Sequence, residues 1–226
     1  MKIIELDEVD STNEYCKRNY AGHSFVVTAA SQKVGRGTKG RSFSSERGGL
    51  YLSVVRKLYN VEATEAFLIM VNACTAVCRT VEHYGLKPVI RWANDVLVNG
   101  KKICGTLIEN TFSGSFISRS IVGIGLNINN ELPEELLPIA TTIKKETGRE
   151  IPVSEVKNLL LENLNKKFTL SDYKSYIDWF GKQVIIKTAE GEHTVTAVDV
   201  DIDGRLICVL AGSLKKISSA EVSLEL

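Results

Sequence analysis

The stretch RWANDVLVNGKKICGTLIEN, residues Arg91–Asn110, places an Asn-Gly pair between two apolar runs. The pair, Asn99-Gly100, favours a tight turn between neighbouring antiparallel strands. We therefore predict strands over Val96–Val98 and Lys102–Glu109, paired as a hairpin. A hairpin at this point favours an α+β fold with a largely antiparallel sheet over a doubly wound parallel one.

Further strands and helices are predicted on both sides of this hairpin. Helical spacing of apolar residues predicts helices over residues 62–85 and 153–168. Ser11 followed by Glu14 matches a capping box and predicts another helix that begins there. Short apolar runs predict five more strands, at Ile3–Leu6, Phe25–Thr28, Leu50–Val55, Val89–Trp92 and Ile117–Ile128. These elements form a first predicted domain, residues 1–180.

The pattern changes after about residue 181. Short β runs alternate there with predicted turns at Ala189–Glu192, Asp201–Gly204 and Ala211–Ser213. Such closely spaced short strands are typical of a small β barrel. We therefore predict a second domain over residues 181–226.

Composition limits the kinds of partner. The 226-residue chain has a net charge of +1, which does not favour general binding to nucleic acid or to an anionic membrane. Its five cysteines are odd in number and never spaced as C-x-x-C, which favours reduced thiols over disulfides or a zinc site. The N-terminus lacks the apolar run of a signal peptide, and we expect no membrane-spanning stretch. The sequence therefore predicts a cytoplasmic protein.

The loop KVGRGTKGR, Lys33–Arg41, holds three glycines and four positive charges in nine residues. The spacing of Gly35, Gly37 and Gly40 matches G-x-G-x-x-G, but a strand follows, whereas a dinucleotide loop or P-loop leads into a helix. Glycines let backbone N–H groups approach a ligand closely, and the cations supply charge. The loop thus predicts a site for a small anion; a solvated, mobile surface loop is the alternative.

Two other segments carry polar groups at predicted strand ends. Asn94-Asp95 opens a turn, with Lys102 and Gly105 across the hairpin. A carboxylate, an amide and a lysine there could bind a metal, a phosphate or an amine, or could serve the turn alone. GIGLNIN, Gly123–Asn129, ends an apolar strand, either as a plain strand exit or as a purine or metal contact.

The segments STN, GRGTKGR, RWAND, KKICGTLIE and GIGLNIN occur in the order and approximate spacing found in biotin–protein ligases. The chain resembles that family over nearly its whole length. The resemblance implies a catalytic domain like that of class II aminoacyl-tRNA synthetases, residues 1–180, followed by an SH3-like barrel. It also implies an enzyme that uses ATP and Mg²⁺ to make biotinyl-5′-AMP. The biotinyl group would then pass to one lysine of a carrier domain in a biotin-dependent carboxylase.

The resemblance also implies roles for individual residues. Biotin would be bound by Ser11, Thr12, Gln32, Gly35, Arg36, Lys102 and Gly105, with Gly105 leaving room for the valeryl tail. The nucleotide would be bound by Arg36, Gly37, Arg41, Phe43, Asn94 and Asn127, with Phe43 against adenine. Catalysis would depend on Lys102, Arg36 and Asp95, where Asp95 orients the acceptor amine. No residue is assigned as a metal ligand, although Asn127 could face the metal of the nucleotide.

The chain departs from the family pattern at two positions. Ala93 replaces the usual proline of the turn, and Thr38 replaces an arginine often found in the glycine-rich loop. Larger members carry an N-terminal helix-turn-helix, for which a first strand at Ile3 leaves no room, so we expect no DNA binding. The resemblance allows a homodimer and does not identify the carboxylase.

Two other functions remain open at this point. One is a lipoyl or octanoyl transferase of the same fold, with Cys104 as its nucleophile. The other is a nucleic-acid-binding protein that uses the basic loop, against which the near-neutral net charge argues.

Overall fold

A computed structural model describes residues 1–188, 191–219 and 223–225. Its first domain contains a seven-stranded sheet in the order β1-β2-β3-β7-β6-β5-β4. The strands are β1 Lys2–Val9, β2 Phe25–Gln32, β3 Leu50–Lys57, β4 Pro88–Arg91, β5 Asp95–Val98, β6 Lys101–Ser113 and β7 Phe116–Leu126. Only β1 and β2 pair in parallel, so the prediction of a largely antiparallel sheet is confirmed.

Helices cover both faces of this sheet. They are α1 Thr12–Asn19, α2 Ala66–Glu82, α3 Ile143–Thr147, α4 Val153–Leu164 and α5 Leu170–Lys174. Successive side chains of β2 point to opposite faces of the sheet. Phe25 and Val27 belong to a small apolar cluster with Cys16 of α1, whereas Val26 belongs to the main core beneath α2. The sheet is therefore the middle of three layers.

The helix α2 is the longest helix that the structure describes. With the turn before it, the segment Ala63–Glu82 has 20 residues and a mean hydropathy of 1.2, long and apolar enough to span a membrane. The expectation that no stretch reaches this length is therefore wrong. Half of its most apolar window is buried, however, and Val71, Cys74 and Cys78 pack in the main core. This burial is typical of the core helix of a globular domain.

The predicted hairpin is present and contains an irregularity. Val96 pairs with Cys104, but Leu97 pairs with Lys102, so Ile103 is an extra residue in β6. Side chains alternate between faces in a regular strand, and a bulge of this kind reverses the alternation beyond it. Lys102 and Gly105 are three residues apart and would face opposite ways in a regular strand. The bulge at Ile103 places them on the same face.

The second domain is a five-stranded antiparallel sheet in the order β11-β10-β9-β8-β12. Its strands are β8 Gln183–Thr188, β9 Gly191–Val200, β10 Leu206–Leu210, β11 Ser213–Ile217 and β12 Ser223–Glu225. The predicted turn at Asp201–Gly204 is present, closed by a bond from the Gly204 N–H to the Asp201 carbonyl. The turn between β10 and β11 is present too, whereas the one predicted at Ala189–Glu192 begins outside the described residues.

Candidate active site

A cavity of about 670 Å³ opens on the α1 face of the large sheet, beyond the first turn of α1. The basic loop, the sheet, the segment after β7 and part of the second domain line it. It brings together nearly all of the residues proposed from the sequence: Ser11, Thr12, Gln32, Arg36, Gly37, Arg41, Phe43, Asn94, Asp95, Lys102, Gly105 and Asn127. Their individual roles stay predictions.

Gly35 is the exception, because it does not line the cavity. A Cβ at this position would lie 2.3 Å from the carbonyl oxygen of Phe43 and 2.5 Å from Oγ of Ser45. The Phe43 N–H donates to the Gly35 carbonyl at 2.9 Å. Gly35 therefore shapes the base of the loop, and its contact with biotin stays a prediction.

The floor of the cavity is a patch of bare backbone. Gly105 of β6 pairs with Gly125 of β7. Gly123, two residues before Gly125 in β7, lies on the same face of the sheet. A Cβ at Gly125 would lie 2.6 Å from the Phe43 ring, and one at Gly105 would lie 3.0 Å from Nζ of Lys102. The glycines thus let Phe43 and Lys102 lie directly on the sheet. The space above Gly105, predicted for the valeryl tail, is shared with these two side chains.

Lys102 is paired with a carboxylate on the neighbouring strand. Its Nζ lies 2.7 Å from Oδ1 of Asp95, and an Nη of Arg91 lies 2.7 Å from Oδ2 of the same carboxylate. Asp95 is largely enclosed, with 13% of its side chain exposed. One carboxylate therefore holds two cations, and the cluster keeps a net positive charge that suits an incoming anion.

The backbone of Lys102 is also fixed. Its N–H donates to the Ile139 carbonyl at 2.8 Å, and its carbonyl accepts from the Thr141 N–H at 2.9 Å. Leu136 and Ile139 line the cavity beside it. The segment after β7 therefore both anchors Lys102 and supplies an apolar wall.

The other end of the cavity is a network of small polar side chains. The N–H and Oγ1 of Thr12 both donate to Oε1 of Gln32, at 2.9 and 3.1 Å. Nε2 of Gln32 donates to Oγ of Ser45 at 2.8 Å. Oγ of the fully buried Ser53 lies 2.7 Å from Oγ1 of Thr12. Preset donors and acceptors of this kind suit a neutral polar group such as a ureido ring.

The predicted capping box at the start of α1 does not form. Ser11 is the N-cap residue, but its side chain makes no capping hydrogen bond and lines the cavity instead. Glu14 binds Lys17 at 2.8 Å and an Nη of Arg36 at 2.7 Å. The hydrogen bond from Lys17 is the main cause that holds the pKa of the Glu14 carboxyl below its usual range. Glu14 therefore ties the basic loop to α1 through Arg36.

The basic loop itself is folded as a tight turn. The Gly37 N–H donates to the Arg41 carbonyl at 2.7 Å, and the Arg41 N–H donates to the Thr38 carbonyl at 3.2 Å. Lys39 and Gly40 both have positive φ, 57° and 71°. Burial, followed by the charge of Arg41, lowers the pKa of Lys39. The turn thus holds its cations close together over the cavity.

The Trp92–Ala93 turn is braced from two sides. The hydroxyl of Tyr173 donates to the Ala93 carbonyl at 2.9 Å, and Nε1 of Trp92 donates to the Gly204 carbonyl of the second domain at 3.0 Å. The peptide bond between Trp92 and Ala93 is cis. These two hydrogen bonds support the turn in which Ala93 stands at the position of the usual proline.

The charge around the cavity is strongly positive. Among the described residues that line it, six are cationic and one is a carboxylate, Asp95. The cations are Arg36, Lys39, Arg41, Arg91, Lys102 and Lys187. No group of three or more His, Cys, Asp or Glu residues within the described ranges could hold a metal ion.

Cys104, the nucleophile of the alternative transferase, lies in the main core with no exposed surface. Burial raises the pKa of its thiol well above the usual value. A nucleophilic cysteine needs an accessible thiolate. The position of Cys104 therefore argues against a thioester mechanism.

Sequence reasoning missed several residues of the site. Arg91 stands in the RWAND stretch, four residues before Asp95, and that spacing across a tight turn could have suggested the pair. Ser53, Leu136 and Ile139 sit in ordinary apolar surroundings and gave no signal. Lys187 of the second domain reaches the cavity only through the packing of the two domains.

The fold and the cavity define an α+β protein with a ligand site that is lined by cationic side chains and lies over a glycine-rich part of the sheet. Residues 6–127 match the biotin/lipoate A/B protein ligase family, and residues 180–225 match the biotin protein ligase C-terminal domain. The chain therefore belongs to the biotin/lipoate A/B protein ligase family. Its second match is to a domain described as that of biotin protein ligases.

Individual relatives agree with this assignment. The bifunctional ligase/repressor BirA of Bacillus subtilis is 29% identical, over 97% of this chain and 72% of that protein. A biotin–[acetyl-CoA-carboxylase] ligase of Paracoccus denitrificans is 27% identical, over 96% of this chain and 98% of that protein. Among solved structures, the biotin protein ligase from Aquifex aeolicus in complex with biotin and ATP superimposes with a TM-score of 0.80. It is 30% identical, and the match covers 99% of this chain and 98% of that one.

Proposed function

We infer that the protein is an ATP-dependent biotin protein ligase. It activates biotin as biotinyl-5′-AMP and transfers the biotinyl group to a lysine of an acceptor protein. The observation that carries this conclusion is the Lys102–Asp95–Arg91 cluster on a glycine floor beneath a basic loop, in a chain of this family.

Activation joins two anions and therefore needs positive charge. A carboxylate oxygen of biotin attacks the α-phosphorus of ATP, an O–P bond forms, and pyrophosphate leaves with the electrons of the broken bond. Lys102, Arg36 and Arg41 line the cavity, and we propose that these charges meet beside them. Cations held next to the reacting groups stabilise the negative charge that develops there. We propose that Lys102 moves from Asp95 to the carboxyl and phosphate oxygens at this step.

Transfer begins when the acceptor amine attacks the acyl carbon. An N–C bond forms, the acyl C–O bond breaks, AMP leaves with the electrons of that bond, and the nitrogen releases its proton to solvent. A lysine amine has a reference pKa near 10.4, so only about one in a thousand is neutral at physiological pH. A carboxylate is too weak a base to overcome this alone. We propose that Asp95 instead orients the amine and stabilises its growing positive charge, once Lys102 has left Oδ1.

The intermediate must be kept from water, because a mixed anhydride hydrolyses. The basic loop covers the cavity, and Glu14 holds it to α1 through Arg36. Closing a site in this way excludes water and strengthens the electrostatic interactions inside it. We propose that the loop orders further over biotinyl-AMP.

The finer details are also proposals. Mg²⁺ would enter with ATP as part of the nucleotide substrate. The relatives named biotin–[acetyl-CoA-carboxylase] ligase support a carrier domain of that carboxylase as the acceptor. We further propose that the enzyme is cytoplasmic and does not bind operator DNA. A homodimer is compatible with this function.

The function is tested with purified protein, biotin and Mg·ATP. We expect release of pyrophosphate and a product with the mass of biotinyl-AMP. Added carrier domain should then gain one biotinyl group. Release supported by lipoate or octanoate but not by biotin would overturn the substrate assignment.

A further inference from the structure

Three asparagines, Asn127, Asn129 and Asn130, follow β7 directly. Asn127 lines the cavity, whereas Asn130 does not. Both side chains are buried, each with 4% of the residue exposed. Their amide groups contact each other, so the orientation of one determines the orientation of the other.

The orientation of Asn130 follows from a backbone group. The Ile128 N–H lies 3.1 Å from the side-chain Oδ1 of Asn130. A backbone N–H can only donate, so the atom facing it must be the amide oxygen. The NH₂ group of Asn130 must then point the other way, where it lies 3.2 Å from Oδ1 of Asn127.

The same reasoning applies one step further. Asn130 presents a donor, so Asn127 must turn its own oxygen toward Asn130. The NH₂ group of Asn127 is then the part of the amide that remains for the cavity. The backbone of Asn127 is also fixed, since its N–H donates to the Ile103 carbonyl at 2.9 Å and its carbonyl accepts from the Ile143 N–H at 3.1 Å.

Asn130 is held in place by the chain that follows the basic loop. A Cβ at Gly48 would lie 3.0 Å from the Asn130 backbone nitrogen, and one at Gly49 would lie 3.1 Å from Asn130 Oδ1. The Asn129 N–H donates to the Gly48 carbonyl at 2.9 Å. This close packing leaves Asn130 little freedom to turn.

We propose that Asn130 is a positioning residue that fixes the amide of Asn127 with its NH₂ group toward the nucleotide. This rests on the proposed function, which places the nucleotide in this cavity. Asn127 then donates to an acceptor atom of the adenylate, such as a phosphate or ribose oxygen or a ring nitrogen. It contacts the nucleotide as a donor and does not serve as a metal ligand.

The test compares two substitutions that replace an amide by a carboxylate of the same shape with one that removes the amide. Asn127→Asp replaces the donor directly. Asn130→Asp keeps an acceptor for Ile128 but turns an acceptor toward Asn127, which must then rotate and show its oxygen to the cavity. Asn130→Ala removes the constraint and leaves Asn127 free to adopt either orientation. The probe is a non-hydrolysable ATP analogue with Mg²⁺, titrated at saturating biotin and about pH 8, where an aspartate is ionised. Biotin alone is titrated separately.

We expect both aspartate variants to bind the analogue roughly tenfold more weakly and Asn130→Ala to lose about threefold, with biotin affinity unchanged within about twofold. A merely structural Asn130 predicts the reverse order, because alanine deletes both hydrogen bonds. That order, or wild-type affinity in Asn130→Asp, would overturn the inference.

The matched control is Asn129→Asp. Asn129 exchanges two hydrogen bonds with the backbone of Ile151, at 2.6 and 3.1 Å, and does not line the cavity. The Asn129→Asp substitution should lower the melting temperature and leave nucleotide affinity unchanged. A loss of nucleotide affinity equal to that of Asn130→Asp would overturn the orientation argument. Failure of the wild-type protein to bind the analogue would instead overturn the proposed function, and the inference with it.

Discussion

Nζ of Lys102 lies 2.7 Å from Oδ1 of Asp95, and both groups face a floor made of glycine. In the proposed reaction, the carboxylate of biotin and the α-phosphate of ATP meet at this pair. A cation held by one carboxylate is positioned in advance, yet it can exchange that partner for an anionic ligand.

Lys102→Ala should cripple activation. Loss of one preorganised donor to developing charge lowers a rate by roughly 10²–10³. The measurement is pyrophosphate release with biotin and Mg·ATP. Lys101→Ala is the matched control, because Nζ of Lys101 donates to the Leu137 carbonyl at 2.9 Å and neither residue is among the described residues that line the cavity. A loss of about tenfold or less in Lys102→Ala would remove this lysine from the reacting centre.

Arg91→Gln should slow transfer more than activation. Without the guanidinium, Asp95 loses one of its two charged partners and becomes free to rotate. We expect transfer from preformed biotinyl-AMP to a carrier domain to fall about tenfold, as for a lost charge-assisted bond. Arg79→Gln on the exposed face of α2, where Arg79 pairs with Glu82, should have no effect. Equal losses of rate in activation and in transfer would mean that Arg91 acts on the nucleotide and not through Asp95.

Thr38→Arg should retain the intermediate longer. An arginine can donate several charge-assisted hydrogen bonds, each worth roughly 1.5–3 kcal/mol, whereas threonine offers one neutral hydroxyl. The dissociation rate of biotinyl-AMP and the labelling of added albumin should both fall in the variant. Unchanged values would show that the other cations of the loop already seal the site.

Cys104→Ser should spare activity and reduce stability. The residue is fully buried, so a hydroxyl in its place should lower the free energy of unfolding by roughly 1–3 kcal/mol unless it finds a hydrogen-bond partner. Denaturant unfolding measures the loss, and pyrophosphate release measures the activity. An inactive but folded variant would revive the thioester transferase.

Alkaline pH should destabilise the fold through its buried thiols. Burial raises the pKa of Cys16, and that of Cys74, from 9.0 to about 12. The folded protein keeps protons that the unfolded chain releases, so stabilisation is complete below the unfolded pKa and is lost as pH rises toward the folded one. The free energy of unfolding should therefore fall between about pH 9 and pH 12. A flat profile over that range would mean that these thiols are reached by solvent.

Much of the fold could be predicted because its signals are local. Asn99-Gly100 specifies a hairpin turn through the backbone freedom of two adjacent residues, and the apolar spacing of α2 specifies its buried side. The glycines and cations of the basic loop predict an anion site from composition alone. These features depend on neighbours along the chain.

The direction in which each side chain points was decided only by the tertiary structure. Lys102 faces Gly105 because an extra residue, Ile103, is accommodated when β6 pairs with β5, and that depends on the partner strand. Glu14 leaves its predicted cap because Arg36, 22 positions away, is folded within reach. The amide of Asn127 is oriented by Asn130 only because the chain after β7 turns back on itself. The sequence by itself therefore determined which chemical groups this protein has and roughly where they lie, whereas the direction of each depends on contacts that form when distant segments pack together.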